Sequence, residues 1–130
     1  MRKAPATGRG RREALGRNLF PSTWPWRAWY SFQQDLLAAV YATSGDLWHR
    51  LRDRCHDVMS WLQHLEYEGD IERDGSFNTA TKLIPSWPST ETQLQQARNL
   101  LGKQVWDSLT SRAATKGREG PGSETTASND

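Results

Sequence analysis

The chain has 130 residues, with 17 Lys and Arg against 15 Asp and Glu, a formal net charge of +2. That length fits one domain, and no run of about 18 apolar residues exists to form a membrane-spanning helix. Cys55 is the only cysteine, which excludes an intrachain disulfide and fits a reducing compartment.

Charge and apolar content are unevenly spread. Residues 1–18 hold Arg2, Lys3, Arg9, Arg11, Arg12 and Arg17 against Glu13, a local balance of +5, among Gly, Ala, Pro and Thr. With almost no bulky apolar side chain to offset chain entropy, they read as a disordered basic arm suited to phosphates or a minor groove. No apolar stretch follows these charges, so no secretory signal is expected and the location reads as cytoplasmic and nucleoid-associated, or nuclear in a eukaryotic host. The folded part is then roughly residues 19–110, which contain all seven Trp residues.

From Leu19 to Phe32 the chain carries Trp24, Trp26, Trp29 and Tyr30 between two early prolines. Aromatic density of this kind in a small domain predicts core packing more than an exposed stacking platform. A first helix is expected from about Trp26 to Ala42, its inner face supplied by Tyr30, Leu36, Leu37, Val40 and Tyr41. It breaks at Ala42 to Gly45, where Ser44 is a natural cap for the next helix.

Leu47, Leu51, Val58, Trp61, Leu62 and Leu65 then follow at helical spacing, before Gly69, Ile71 and the Asp74-Gly75 pair. Glycine just past the last periodic residue predicts a helix stop, and Asp-Gly predicts a hairpin turn. Ser76 to Ile84 is rich in β-formers and reads as the strand returning against residues 70–73. Pro85 and Pro88 end it, and a last helix is expected over residues 89–110 with a stripe of Leu94, Ala97, Leu101, Val105 and Leu109. That helix either covers the domain or pairs with its counterpart in a homodimer. Residues 111–130, polar and poor in apolar residues, read as a disordered tail.

The segment from Ser44 to Ile84 resembles a winged helix-turn-helix. Leu47 and Leu51 match that family's first motif helix, Val58, Leu62 and Leu65 the inner face of its second, and Glu66, Gly69 and Ile71 its helix exit and first wing strand. The turn falls at Arg52 to Arg54, with Asp53 or Asp57 to cap the new helix. If no turn forms, the same apolar positions keep one face and residues 45–66 make one continuous amphipathic helix. The expected fold is therefore mainly α with a small β-hairpin. It comprises a basic arm (1–18), a winged helix-turn-helix (19–88), a C-terminal helix (89–110) and a tail (111–130).

What the resemblance implies is a duplex DNA-binding protein, a small transcriptional or replication/partition regulator. The helix around residues 54–67 would enter the major groove, with Arg54, His56, Asp57, Met59, Ser60 and Gln63 turned toward base edges. Arg54 suits guanine and Gln63 adenine. Arg50 and Arg52 would hold phosphate near the turn, Arg73, Ser76, Asn78 and Lys82 would touch the backbone from the wing, and Arg9, Arg11 and Arg12 would act from the arm. Residues 45–75 hold four arginines against eight carboxylates, a balance of −4, concentrated at the helix exit in Glu66, Glu68, Asp70, Glu72 and Asp74. That charge motivates an alternative, a winged-helix protein-interaction adaptor docking a basic partner through its acidic helix exit and wing. A third reading is a helical accessory protein built on one long amphipathic helix.

His49, Cys55, His56 and His64 are the only soft metal ligands, and their spacing supplies no paired zinc-binding motif. No phosphate-cradling glycine loop or activated nucleophile is evident either. No metal, cofactor or enzymatic activity is expected.

Overall fold

The computed structural model describes residues 19–129, with side chains through Gly117. The arm, with Arg9, Arg11 and Arg12, lies outside the described residues. A 3-10 turn, Trp26–Ala28, leads into α1 (Trp29–Tyr41), α2 (Gly45–Glu68), the short α3 (Phe77–Thr81), α4 (Trp87–Leu101) and α5 (Lys103–Asn129). Helices α1, α2, α4 and α5 pack in a ring, each against the next, with α4 also touching α1 across it. α3 and the 3-10 turn close one end.

Within α2, Leu47, Leu51, Cys55, Val58, Leu62 and Leu65 are buried, three or four residues apart throughout. One unbroken stripe needs one unbroken helix, so α2 runs straight through Arg52, Asp53 and Arg54. The expected helix-turn-helix is thereby corrected to a single helix of 24 residues, about 36 Å long. Its ends are well specified. The Ser44 hydroxyl accepts from the Leu47 amide at 3.3 Å. At the other end Gly69 adopts φ 82, with its own amide bonded to the Glu66 carbonyl and that of Asp70 to Leu65. This paired Schellman arrangement needs the left-handed conformation that glycine supplies cheaply.

The wing is also corrected. No strand is present among the described residues; there is only an isolated antiparallel bridge between Pro25 and Ser76. The backbone around Gly75 finds its partner in the Trp24 to Trp26 segment. The Trp26 amide donates to the Gly75 carbonyl at 3.1 Å and the Phe77 amide to the Trp24 carbonyl at 2.9 Å. Ser76 then caps α3 by accepting from the Thr79 amide at 3.2 Å. Phe77, Ala80, Thr81 and Ile84 are buried, the i, i+3, i+4, i+7 pattern of a helical rather than a strand face.

The single helix expected over residues 89–110 is two. Gly102, at φ 94, breaks it after Leu101 and resets the inward stripe from Thr90, Leu94 and Ala97 to Trp106, Leu109 and Ala113. Val105, expected on the stripe, is 41% exposed instead. The tail expected from residue 111 continues as helix: Ala113 is buried, and Gly117 lies so close to Ala28 that an added Cβ would stand 2.7 Å from its Cα.

Between the helices lies an aromatic core. Phe20 stacks on Trp24 with centroids 4.3 Å apart, and Trp29 on Phe77 at 5.5 Å. Phe32 and Trp106 meet this cluster at their edges or at a tilt. The expectation that Trp24, Trp26 and Trp29 belong to the core holds; all are fully buried.

A proline in an uninterrupted helix removes a backbone hydrogen bond and collides with the preceding turn. Asp53→Pro is therefore expected to cost about 3 kcal/mol or more, read as the shift in urea unfolding midpoint. A near-neutral result would mean that the chain turns at Arg52 to Arg54.

Candidate nucleic-acid interface

The residues expected at a recognition helix lie on a helix whose successive side chains rotate by about 100°. Arg50 and Arg54 therefore point within about 40° of each other, and Arg52 some 160° to 200° away from both. Arg54 is half-buried and reaches Ser89 at the start of α4, 3.5 Å away. Arg50 is exposed on the same side. On that side too the Asp57 carboxylate accepts from the Ser86 hydroxyl, and with Ser60, Trp61 and His64 it lines a shallow depression of 330 Å³. His56, Ser60 and Gln63 are exposed on α2's outer face, with Met59 half-buried beside them. The wing candidates are dispersed. Arg73 is exposed in the loop before α3, the Ser76 hydroxyl is spent on its cap, Asn78 is half-buried in α3 and Lys82 is exposed just after it. Arg52, His56, Ser60 and Gln63 thus share the exposed outer face of α2, and Arg50, Arg54 and the wing candidates do not join it.

Arg52 also belongs to a second constellation. Its guanidinium carbon sits over the Trp48 ring, 5.0 Å from the centroid. Tyr41, the last residue of α1, meets Trp48 edge-on at 5.2 Å, and His49 meets it at 5.0 Å. The Ser44 cap fixes the corner that brings Tyr41 and Trp48 together, so a three-residue break between helices creates the cluster. Tyr41 is 64% exposed, His49 and Arg52 are exposed, and Trp48 is half-buried. Stacking on the indole holds the guanidinium in place while its N–H edge remains open to solvent. Tyr41, expected on the inner face of the first helix, instead turns outward at its end. An aromatic at each side of a Ser cap, followed by an arginine four residues on, was the signal available.

Other cations are engaged or remote. Arg27 stacks over Trp26 at 5.3 Å and lies 3.8 Å from Glu66. Arg112 lies 3.6 Å from Asp35, and with Lys116, Ser108, Ser111 and Thr115 it borders a shallow depression of 470 Å³ on α5. Burial pushes the Tyr30 hydroxyl, beside Arg27, above its usual range.

The far end of α2 and the loop after it carry Glu66, Glu68, Asp70, Glu72 and Asp74, and Tyr67, between the first two in the chain, is 87% exposed. Among the described residues, 19–117 hold ten Lys and Arg against eleven Asp and Glu, so the body is close to neutral and the basic excess lies in residues 1–18.

Among the described residues no group of three or more His, Cys, Asp or Glu converges to hold a metal ion, and no helix is long and apolar enough to cross a membrane. Cys55 is buried against α1, and desolvation pushes its thiol from the ordinary 9.0 up to about 12. Because the folded-state value is the higher one, this group's contribution is fully present below pH 9 and is lost as pH rises toward 12. Native protein at pH 8 is expected to resist a thiol-labelling disulfide reagent, whereas protein in guanidinium reacts completely. Rapid labelling of the native chain would mean that Cys55 is not sealed. No family model matches this chain, and no curated protein or solved structure is detectably similar to it.

Proposed function

We propose that this chain is a nucleic-acid-binding protein whose basic residues 1–18 supply long-range attraction to phosphate and whose helical body supplies a fixed contact at the α1–α2 corner. The observation that carries this reading is Arg52 held over Trp48 and flanked by Tyr41 and His49 at the surface. A cation with an open donor edge, fixed beside exposed rings, suits a ligand that presents both phosphate and π faces. The division of charge agrees: six cations against one anion in residues 1–18, beside a near-neutral body, put the electrostatic share of affinity in that segment.

A second reading has its own observation. Tyr67 stands exposed in a stretch of chain, residues 66–74, that carries five carboxylates, suited to a Lys- or Arg-rich segment of a protein partner through ion pairs and cation–π contact. On that reading the chain is an adaptor.

The two separate in one titration. Full-length protein is mixed with a fluorescein-labelled oligonucleotide of mixed sequence, duplex or single-stranded, between about 50 and 200 mM salt. Binding is expected to weaken steeply with salt. For the duplex, replacing Arg9, Arg11 and Arg12 together by Gln is expected to reduce the log–log slope by about 2 to 3. No binding to either form at low salt overturns the proposal and leaves the adaptor, whose signature is capture of an oligo-lysine peptide that Glu68→Lys with Asp70→Lys abolishes.

A further inference from the structure

We infer that the strand bound at the α1–α2 corner is unpaired, with a base stacked on the exposed Tyr41 ring or the outer face of the Arg52 guanidinium and a neighbouring phosphate on the Arg52 N–H edge and His49. This rests on the nucleic-acid reading above and narrows its ligand class. Three observations point the same way.

The first is the make-up of the exposed face. α1 and α4 pack along α2's flanks, Arg54 and Asp57 are turned toward α4, and the outer face of α2 keeps Arg52 as its one guanidinium beside His56, Ser60 and Gln63. Base edges in a duplex groove lie beneath two phosphate backbones, out of reach of a half-buried side chain. A strand with unstacked bases can bring a base face to the corner.

Charge along α2 is the second. A stiff duplex laid on this helix meets Asp46 and Asp53 at one end and Glu66, Glu68 and the following Asp70, Glu72 and Asp74 at the other. From Trp48 to Glu68 is twenty residues, about 30 Å of helix, or about three Debye lengths at 0.1 M salt. Two or three flexible nucleotides confined to the corner meet Asp46 and Asp53 but are screened from the acidic exit, whereas a duplex spanning the helix meets both.

The third is the chemistry of the cluster. The Trp48 ring already carries Arg52 and stands in T-shaped contact with Tyr41 and His49, so the indole acts as the support. The open surfaces are the Tyr41 ring and the planar guanidinium. Both accept any base face, which predicts little preference among sequences.

The test uses the full-length chain with fluorescein-labelled dT12, which forms no internal pairing, and the same strand annealed to dA12, by anisotropy at about 50 mM salt. The single strand is expected to bind more tightly than its duplex. Tyr41→Ala and Arg52→Ala are each expected to weaken dT12 by about fivefold or more, the low end of one lost stack. Tyr41→Phe is expected to bind like the original chain because the ring is kept. Arg52→Lys, which keeps charge but not the plane, is expected to lose affinity with an unchanged salt slope. Both positions are exposed, and an unchanged unfolding midpoint confirms that each variant is folded. Tighter binding to the duplex, or dT12 affinity indifferent to Tyr41→Ala and Arg52→Ala, overturns the inference and leaves nucleic-acid binding standing. Absence of binding to both forms overturns both.

Discussion

Four buried indoles set the terms on which this chain folds. An indole brings a large apolar area and one N–H donor that is costly to bury without a partner. Here each donor finds a backbone carbonyl on a distant segment: Trp24 on Thr110, Trp26 on Glu72, Trp29 on Cys55 and Trp106 on Leu19. These bonds run from 2.6 to 3.3 Å and tie the start of the described chain, the middle of α2, the loop before α3 and the body of α5 to one aromatic cluster. A body of about a hundred residues has limited surface to bury. Concentrating that burial in a few rings, with their polar atoms satisfied, suits its size.

The loop after α2 shows how this constraint overrides local preference. Asp74-Gly75 favours a tight reversal into a second strand. That pairing would use the backbone around Glu72 to Ser76, which instead serves the Trp24 to Trp26 segment: the Glu72 carbonyl takes the Trp26 indole N–H and the Gly75 carbonyl takes the Trp26 amide. Phe77 then enters the cluster between Phe20, Trp24 and Trp29. Ring packing turns the following residues into α3, although Thr79 and Thr81 are β-formers by intrinsic preference. Helical spacing of Phe77, Ala80, Thr81 and Ile84 was written in the chain, but composition and the Asp-Gly pair point to a strand with comparable force.

The consequences reach the surface. Because α2 is continuous, its arginines spread around a cylinder instead of gathering at a turn, and only Arg52 becomes a fixed exposed cation. Because α1 ends at Tyr41 and the Ser44 cap restarts the chain, Tyr41 and Trp48 face each other across a tight corner. The first half of the same helix mixes Arg50, Arg52 and Arg54 with Asp46 and Asp53, and its exit carries carboxylates alone. The molecule therefore presents two chemically distinct ends on one rigid element, about 30 Å apart.

By itself the sequence determined the properties that depend on near neighbours. These include the Ser44 cap, the Gly69 stop, the end of α1, the apolar stripe of α2, the destination of the first three tryptophans and the basic excess of residues 1–18. Periodicity, capping and composition act over a few residues, so they are visible in a linear string. Only the tertiary structure decided whether α2 turns at Arg52 to Arg54, whether Gly102 breaks the last helix, and which backbone pairs with residues 72–76. In each case the local sequence is compatible with two conformations, and distant contacts settle the choice: the Trp29 indole on the Cys55 carbonyl, Trp106 against Phe20 and Phe32, and the Trp26 indole on the Glu72 carbonyl. The corner at Tyr41, Trp48 and Arg52 was hidden for the same reason, since seven and eleven positions of chain come together only when α1 and α2 fold back on each other.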